Sequence, residues 1–201
     1  MLKLLYCAVL IGSVTLLLGG CHRAESLPET RLISAFPSKG VCRAAVLPFK
    51  NQSDHPQGGI IAYRIFTAEL EQRYPGMLVL EGDTMRAFRR LQLGRYEHPS
   101  QEQLRLIADQ LNCSHLFTGT VVRMEERPES SGINPAFAVQ LTLQSAADNR
   151  IIVSSYVARE GEEYRRILHY GKVNTLTGLV KKTFEEMLLS WENLGLSGCA
   201  D

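Results

Sequence analysis

The sequence predicts an α/β protein: a mixed five-stranded sheet in the order β-α-β-α-α-β-β-β-α, with helices packed on its faces. Three observations carry this. Short apolar runs at Arg43–Phe49 and Met77–Leu80 lack alternation, as strands covered on both faces do. Stretches of helical period separate them. Phe137, Val139, Leu141 and Leu143 then alternate with Ala138, Gln140 and Thr142, the pattern of a strand with one face in the core.

In order, the first strand is Arg43–Phe49 and a polar loop follows to Gly59. Tyr63, Phe66, Leu70 and Tyr74 form the apolar stripe of a helix that Pro75-Gly76 stops. Met77–Leu80 is the second strand, and Asp83 or Thr84 is placed to cap a short helix through Leu91. Ser100 with Gln103 makes a capping box for a helix carrying Leu104, Ile107, Ala108 and Leu111, which Asn112 ends. His115–Met124 is a β-branched third strand. Glu125–Pro135 reads as a polar loop, and Ala147–Arg150 as the turn of a hairpin whose second strand is Ile151–Ala158. A last helix, about Lys172–Trp191, lines up Leu176, Leu179, Val180, Phe184, Met187, Leu188 and Trp191. The first three strands should be parallel with right-handed crossovers, and the last three an antiparallel meander.

The amino terminus carries a separate message. Lys3 precedes an apolar run from Leu4 to Leu18 that is short for a membrane span, which needs about 20 apolar residues. The run closes with Gly19-Gly20-Cys21, then His22-Arg23. Leu18-Gly19-Gly20-Cys21 resembles the lipobox of bacterial lipoproteins. The resemblance implies that residues 1–20 are a signal peptide and that Cys21 is cleaved to the amino terminus and acylated. Acyl chains at about 0.8 kcal/mol per buried CH₂ would hold the chain on a membrane. Since His22 follows the cysteine, not aspartate, the sorting rule of enterobacterial lipoproteins implies the outer membrane, with the domain facing the periplasm. Residues 21–40 read as a flexible tether, 41–192 as a single periplasmic domain and 193–201 as a carboxy-terminal tail.

A net charge of +1 removes the electrostatic case for nucleic acid, which calls for a strongly basic face. Apolar residues at 45% and charged residues at 21% give an ordinary globular core. Phosphate-cradling glycine motifs, the Gly-x-Ser-x-Gly elbow and His-Glu-x-x-His are all missing, so no catalytic residue, cofactor or metal is assigned. The loop Asn51–Gly59, with Asp54 and His55, lies where open α/β sheets bind ligands. It reads more simply as a turn satisfied by Asn51, Ser53 and Asp54. Tyr156, Tyr164, Tyr170 and Trp191 gather near a charged loop, either finishing the core or forming an interface with lipid or another subunit.

With Cys7 in the signal and Cys21 acylated, Cys42, Cys113 and Cys199 remain for an oxidising compartment. Cys42 and Cys113 precede strands that should be neighbours, and the last helix returns Cys199 toward the same edge. A bond between Cys199 and either Cys42 or Cys113 is expected, because the glycine-containing tail can adjust. Cys113-Ser114-His115 is a poor start for a metal site, lacking a Cys-x-x-Cys pair.

Ala45-Val46-Leu47-Pro48-Phe49-Lys50-Asn51-Gln52-Ser53 and Leu116-Phe117-Thr118-Gly119-Thr120-Val121 resemble a group of bacterial envelope domains. The group contains the amino-terminal domain of TolB, the curli secretion lipoprotein CsgG, the penicillin-binding-protein activator lipoproteins and the polysaccharide-export lipoprotein PelC. Asp148-Asn149-Arg150 departs from its Asp-x-x-Thr-Gly hairpin turn. The resemblance covers about Arg43–Trp191 and implies the fold. It also implies a non-enzymatic role through envelope protein partners: an accessory or scaffold component of an export assembly, with a homo-oligomeric ring as one form it could take. Regulation of a cell-wall synthase by contact is the alternative, and a small-ligand binder would need a deep polar pocket beside Asp54 and His55.

Overall fold

The computed structural model of the chain describes residues 28–94, 97, 99–129, 132–165 and 171–199. The elements are β1 (Glu29–Leu32), β2 (Ala44–Val46), β3 (Lys50–Asn51), α1 (Gly58–Arg73), α2 (Glu81–Arg90), α3 (Gln101–Leu111), β4 (His115–Glu129), β5 (Gly132–Ser145), β6 (Ile151–Glu160) and α4 (Leu176–Asn193). A 3-10 turn, Gly161–Tyr164, follows β6. The sheet runs β1-β6-β5-β4-β2, with β3 also on β4. As expected, β2 lies parallel to β4 and β4-β5-β6 is an antiparallel meander; β3, also parallel to β4, is not among the expected strands.

The sheet has six strands and not five, for identifiable reasons. The first expected strand, Arg43–Phe49, is β2 only as far as Val46, ending just before Leu47-Pro48, and β3 forms at Lys50–Asn51, inside the expected polar loop. Met77–Leu80 is extended but contributes only a bridge: Ala44 N donates to Met77 O at 3.0 Å and Val79 N to Ala44 O at 2.9 Å. Glu29–Leu32, assigned to the tether, instead pairs with β6 through Leu32–Val153 to Glu29–Tyr156. A short, exposed edge strand has no buried face, so no alternation marks it. The predicted loop Glu125–Pro135 is mostly the far end of the β4–β5 hairpin. Pro128 and Pro135 fit there because β6 stops opposite Ala136, so the hairpin's outer sides have no neighbouring strand. Helix α2 starts at Glu81 after Leu80, without the side-chain cap expected from Asp83 or Thr84. The capping box at Ser100 and the left-handed Asn112 bound α3.

Helices α1 and α4 cover one face of the sheet. Their core holds Phe49, Phe66, Phe117, Phe137, Phe184 and Trp191. The Phe66 and Phe184 ring centroids are 5.1 Å apart, and Phe117 stacks on Trp191 at 6.3 Å. Gly119 makes room for this cluster: a Cβ there would lie 2.7 Å from the Phe49 ring. Helices α2 and α3 build a smaller core on the other face, around Ala45, Leu47, Phe88, Ile107 and Leu116, at the β2 side.

The tail is part of the domain, correcting the boundary at 192. Leu196 is buried, Val41 N donates to Ser197 O at 2.8 Å, and Val41 bridges Gly198. The domain thus extends from β1 to Cys199, beyond 41–192 at both ends.

Candidate functional site

The loop after β3 is a self-satisfied turn. Asn51 Oδ1 accepts from Ser53 N at 3.2 Å and Ser53 Oγ at 2.7 Å, and its Nδ2 donates to His55 O at 2.8 Å. A Cβ at Gly59 would sit 2.6 Å from Phe49 O, so glycine lets α1 start against the strand end. Asn51, Ser53 and the glycines therefore serve the fold. The nearby cavity, lined by Pro48, Phe49, Gly59, Ile60, Tyr63, Glu81 and Met85, measures about 20 Å³. That is room for a water, not a substrate. Asp54 and His55 do not line it.

Among the cysteines, Cys42 is bonded to Cys199, with Cα atoms 4.3 Å apart, and Cys113 is free and buried. Burial, more than any neighbour, pushes the Cys113 thiol up to about 11. His115 is also buried, which lowers its basicity; its Nδ1 lies 2.8 Å from Ser114 Oγ. Among the described residues, no three His, Cys, Asp or Glu side chains gather as a metal site would need. Cys21 and Tyr170 lie outside the described residues.

The aromatic candidates separate. Trp191 is 0% exposed and Tyr164 6%, so both belong to the core and not to an interface. Trp191 Nε1 donates to Ser155 Oγ at 2.6 Å, and Lys182 Nζ sits 4.1 Å from the Tyr164 ring centre. The large apolar side chains of α4 draw the indole inward, and Ser155 satisfies its one polar atom. Tyr156, 42% exposed, is the one of these three that faces out.

Tyr156 stands on a surface that the sequence reading did not assemble. Helices α2 and α3 cover only the β2 side of their sheet face. Across the rest, register places Glu29, Tyr156, Gln140 and Thr120 in one row over β1, β6, β5 and β4. Arg31, Ser154, Thr142 and Thr118 form the next row. None of these eight is buried. Four strands at about 4.8 Å spacing make each row about 14 Å long. Toward the hairpin tip the face ends in an ion network. Arg123 meets Glu125 at 2.6 Å and Glu160 at 3.2 Å, and Arg127 meets them at 2.9 and 3.3 Å. A β-bulge at Val122 turns Arg123 onto this face opposite the small Ala138. The period-2 signal of β5 showed one core face; what covers the other depends on non-local packing.

No protein-family model and no curated protein sequence matches the chain. Solved structures do. A PelC dodecamer from Paraburkholderia phytofirmans is 17% identical at a TM-score of 0.51, over 79% of this chain and 97% of that one. A lipoprotein from Neisseria meningitidis is 13% identical at a TM-score of 0.53, over 76% and 99%. The LpoB carboxy-terminal domain from Salmonella enterica is 16% identical at a TM-score of 0.48, over 62% and 87%. The chain has the fold of the first two. At these identities the likeness is one of fold, which does not itself assign an activity.

Proposed function

We propose that the protein is a non-enzymatic, lipid-anchored envelope protein that works by contact, as an accessory or scaffold component of an export assembly at the outer membrane. The observation that carries this reading is the position of β1. Seven residues separate Cys21 from Glu29. At no more than about 3.5 Å per residue, the sheet edge stays within roughly 28 Å of the acylated cysteine. A domain held that close is suited to partners at its own membrane. Its open sheet face offers hydroxyl, amide and phenol groups, and the small cavity beside the loop is not lined by Asp54 or His55. The fold shared with a PelC dodecamer supports a homo-oligomeric ring as the working form.

The second reading, regulation of a cell-wall synthase by contact, rests on the sequence resemblance to the penicillin-binding-protein activators. From an outer-membrane anchor it calls for a longer reach than β1 leaves. Native mass spectrometry of the mature protein in detergent separates the two. A ring of many subunits supports the export reading, and a monomer opposes it. Anchoring is tested independently: labelled palmitate should enter the wild type and not Cys21→Ser, which should also leave the outer-membrane fraction. Equal labelling would remove the lipid anchor.

A further inference from the structure

A polar cavity of about 300 Å³ lies between the start of β2, helix α2 and the last turn of α3, away from the open sheet face. Its walls include Arg43, Asp83, Arg86, Arg90, Gln110 and Leu111. Arg43 Nε donates to Leu111 O at 3.3 Å, which fixes the guanidinium while leaving its two Nη groups for other partners. Arg86 is paired with Asp83 one turn earlier on α2. Arg90 has no ion-pair partner among the described residues. Among the residues lining this cavity, three guanidiniums share the one carboxylate of Asp83; Asp109 lines the adjoining hollow, which Arg43 also borders. Arg86 and Arg90 are also four residues apart on one helix, where like charges destabilise by about 0.2–0.5 kcal/mol. An anion between them would remove that small repulsion and give Arg90 a partner.

We propose that this cavity binds a phosphate group. Guanidinium forks match tetrahedral oxyanions through paired N–H donors, and the Gln110 amide adds a neutral donor. The cavity is roomy enough for a phosphate carrying a substituent, so a free phosphate monoester and a phospholipid headgroup share the required chemistry. The site stands on these side chains alone and not on the export reading.

The test uses mature, acylated protein in a nonionic detergent and follows the arginine Nε–H resonances by NMR. Inorganic phosphate and short-chain phosphatidylglycerol are the two probes. Saturable shifts at Arg43, Arg86 and Arg90 are expected with at least one of them. The affinity should fall about tenfold or more in Arg90→Gln, fall less in Arg90→Lys, and weaken with salt. Arg90 is exposed, so unfolding temperatures should not change. Tighter binding of phosphatidylglycerol would name the lipid headgroup as the source, and tighter binding of inorganic phosphate the free anion. Either preference supports the site. No saturable shift with either probe, or equal shifts in wild type and Arg90→Gln, would overturn it.

Discussion

The two faces of the sheet are built from opposite materials. One is closed by α1 and α4 over a phenylalanine cluster, where Trp191 Nε1 donates to Ser155. The other is closed only beside β2, and across β4, β5, β6 and β1 it presents hydroxyls, an amide and Tyr156. The difference teaches where to look for function. Substitutions on the closed face should act through stability, and those on the open face through contact with partners, with stability unchanged.

The largest break in that comparison should come from Phe184→Ala. Phe184 contacts Phe49, Phe66 and Phe137, so its removal should cost about 3–5 kcal/mol in denaturant unfolding. Cys199→Ser comes next. The bond links residues 157 apart, and the chain-entropy model gives an upper figure of about 5 kcal/mol. The Val41–Gly198 bridge and buried Leu196 still hold the tail, so a loss of roughly 2–4 kcal/mol is expected. A reductant should reproduce it in the wild type and do nothing to the variant. Asn51→Ala should cost about 1–2 kcal/mol by orphaning the Ser53 and His55 partners. If it altered assembly without changing stability, the loop would be a site after all.

The sharpest contrast is Gln140→Lys, at an exposed position in the middle of the open face. Its unfolding free energy should stay within about 0.5 kcal/mol of wild type while the native assembly mass falls.

Cys113 gives the smallest signal. Its thiol, raised to about 11, should be ionised in about one molecule per thousand at pH 8, so alkylation should be slow until the protein unfolds. Above pH 9 the unfolded thiol loses its proton first. The native state then holds more protons, and stability should decline as pH rises toward 11. Rapid alkylation of native protein at pH 8 would contradict the burial.

Much of this was legible in residues whose signals are local. The alternation at Phe137–Leu143, the Ser100 capping box and the α4 stripe each specify their element within a few residues. What escaped depends on distant partners. Glu29–Leu32 becomes a strand because β6 offers an edge and Thr30 Oγ1 lies 2.7 Å from Ser155 Oγ, 125 residues away. Trp191 and Tyr164 resembled interface residues because sequence shows their polar atoms, not the core that receives them. The pairing of Cys42 with Cys199 leaves out Cys113, a choice the sequence left open. The open face needed strand register, which brings Thr120, Gln140 and Tyr156 into one row from three separate strands.

The central claim is that this row is a contact surface at the membrane, and in-cell photo-crosslinking addresses it most directly. A photoreactive amino acid at Gln140 or Tyr156 should give discrete higher-mass adducts on irradiation. The same residue at Arg64, exposed on α1 over the closed face, should give none. Adducts from Arg64 with neither Gln140 nor Tyr156 reacting would contradict the account.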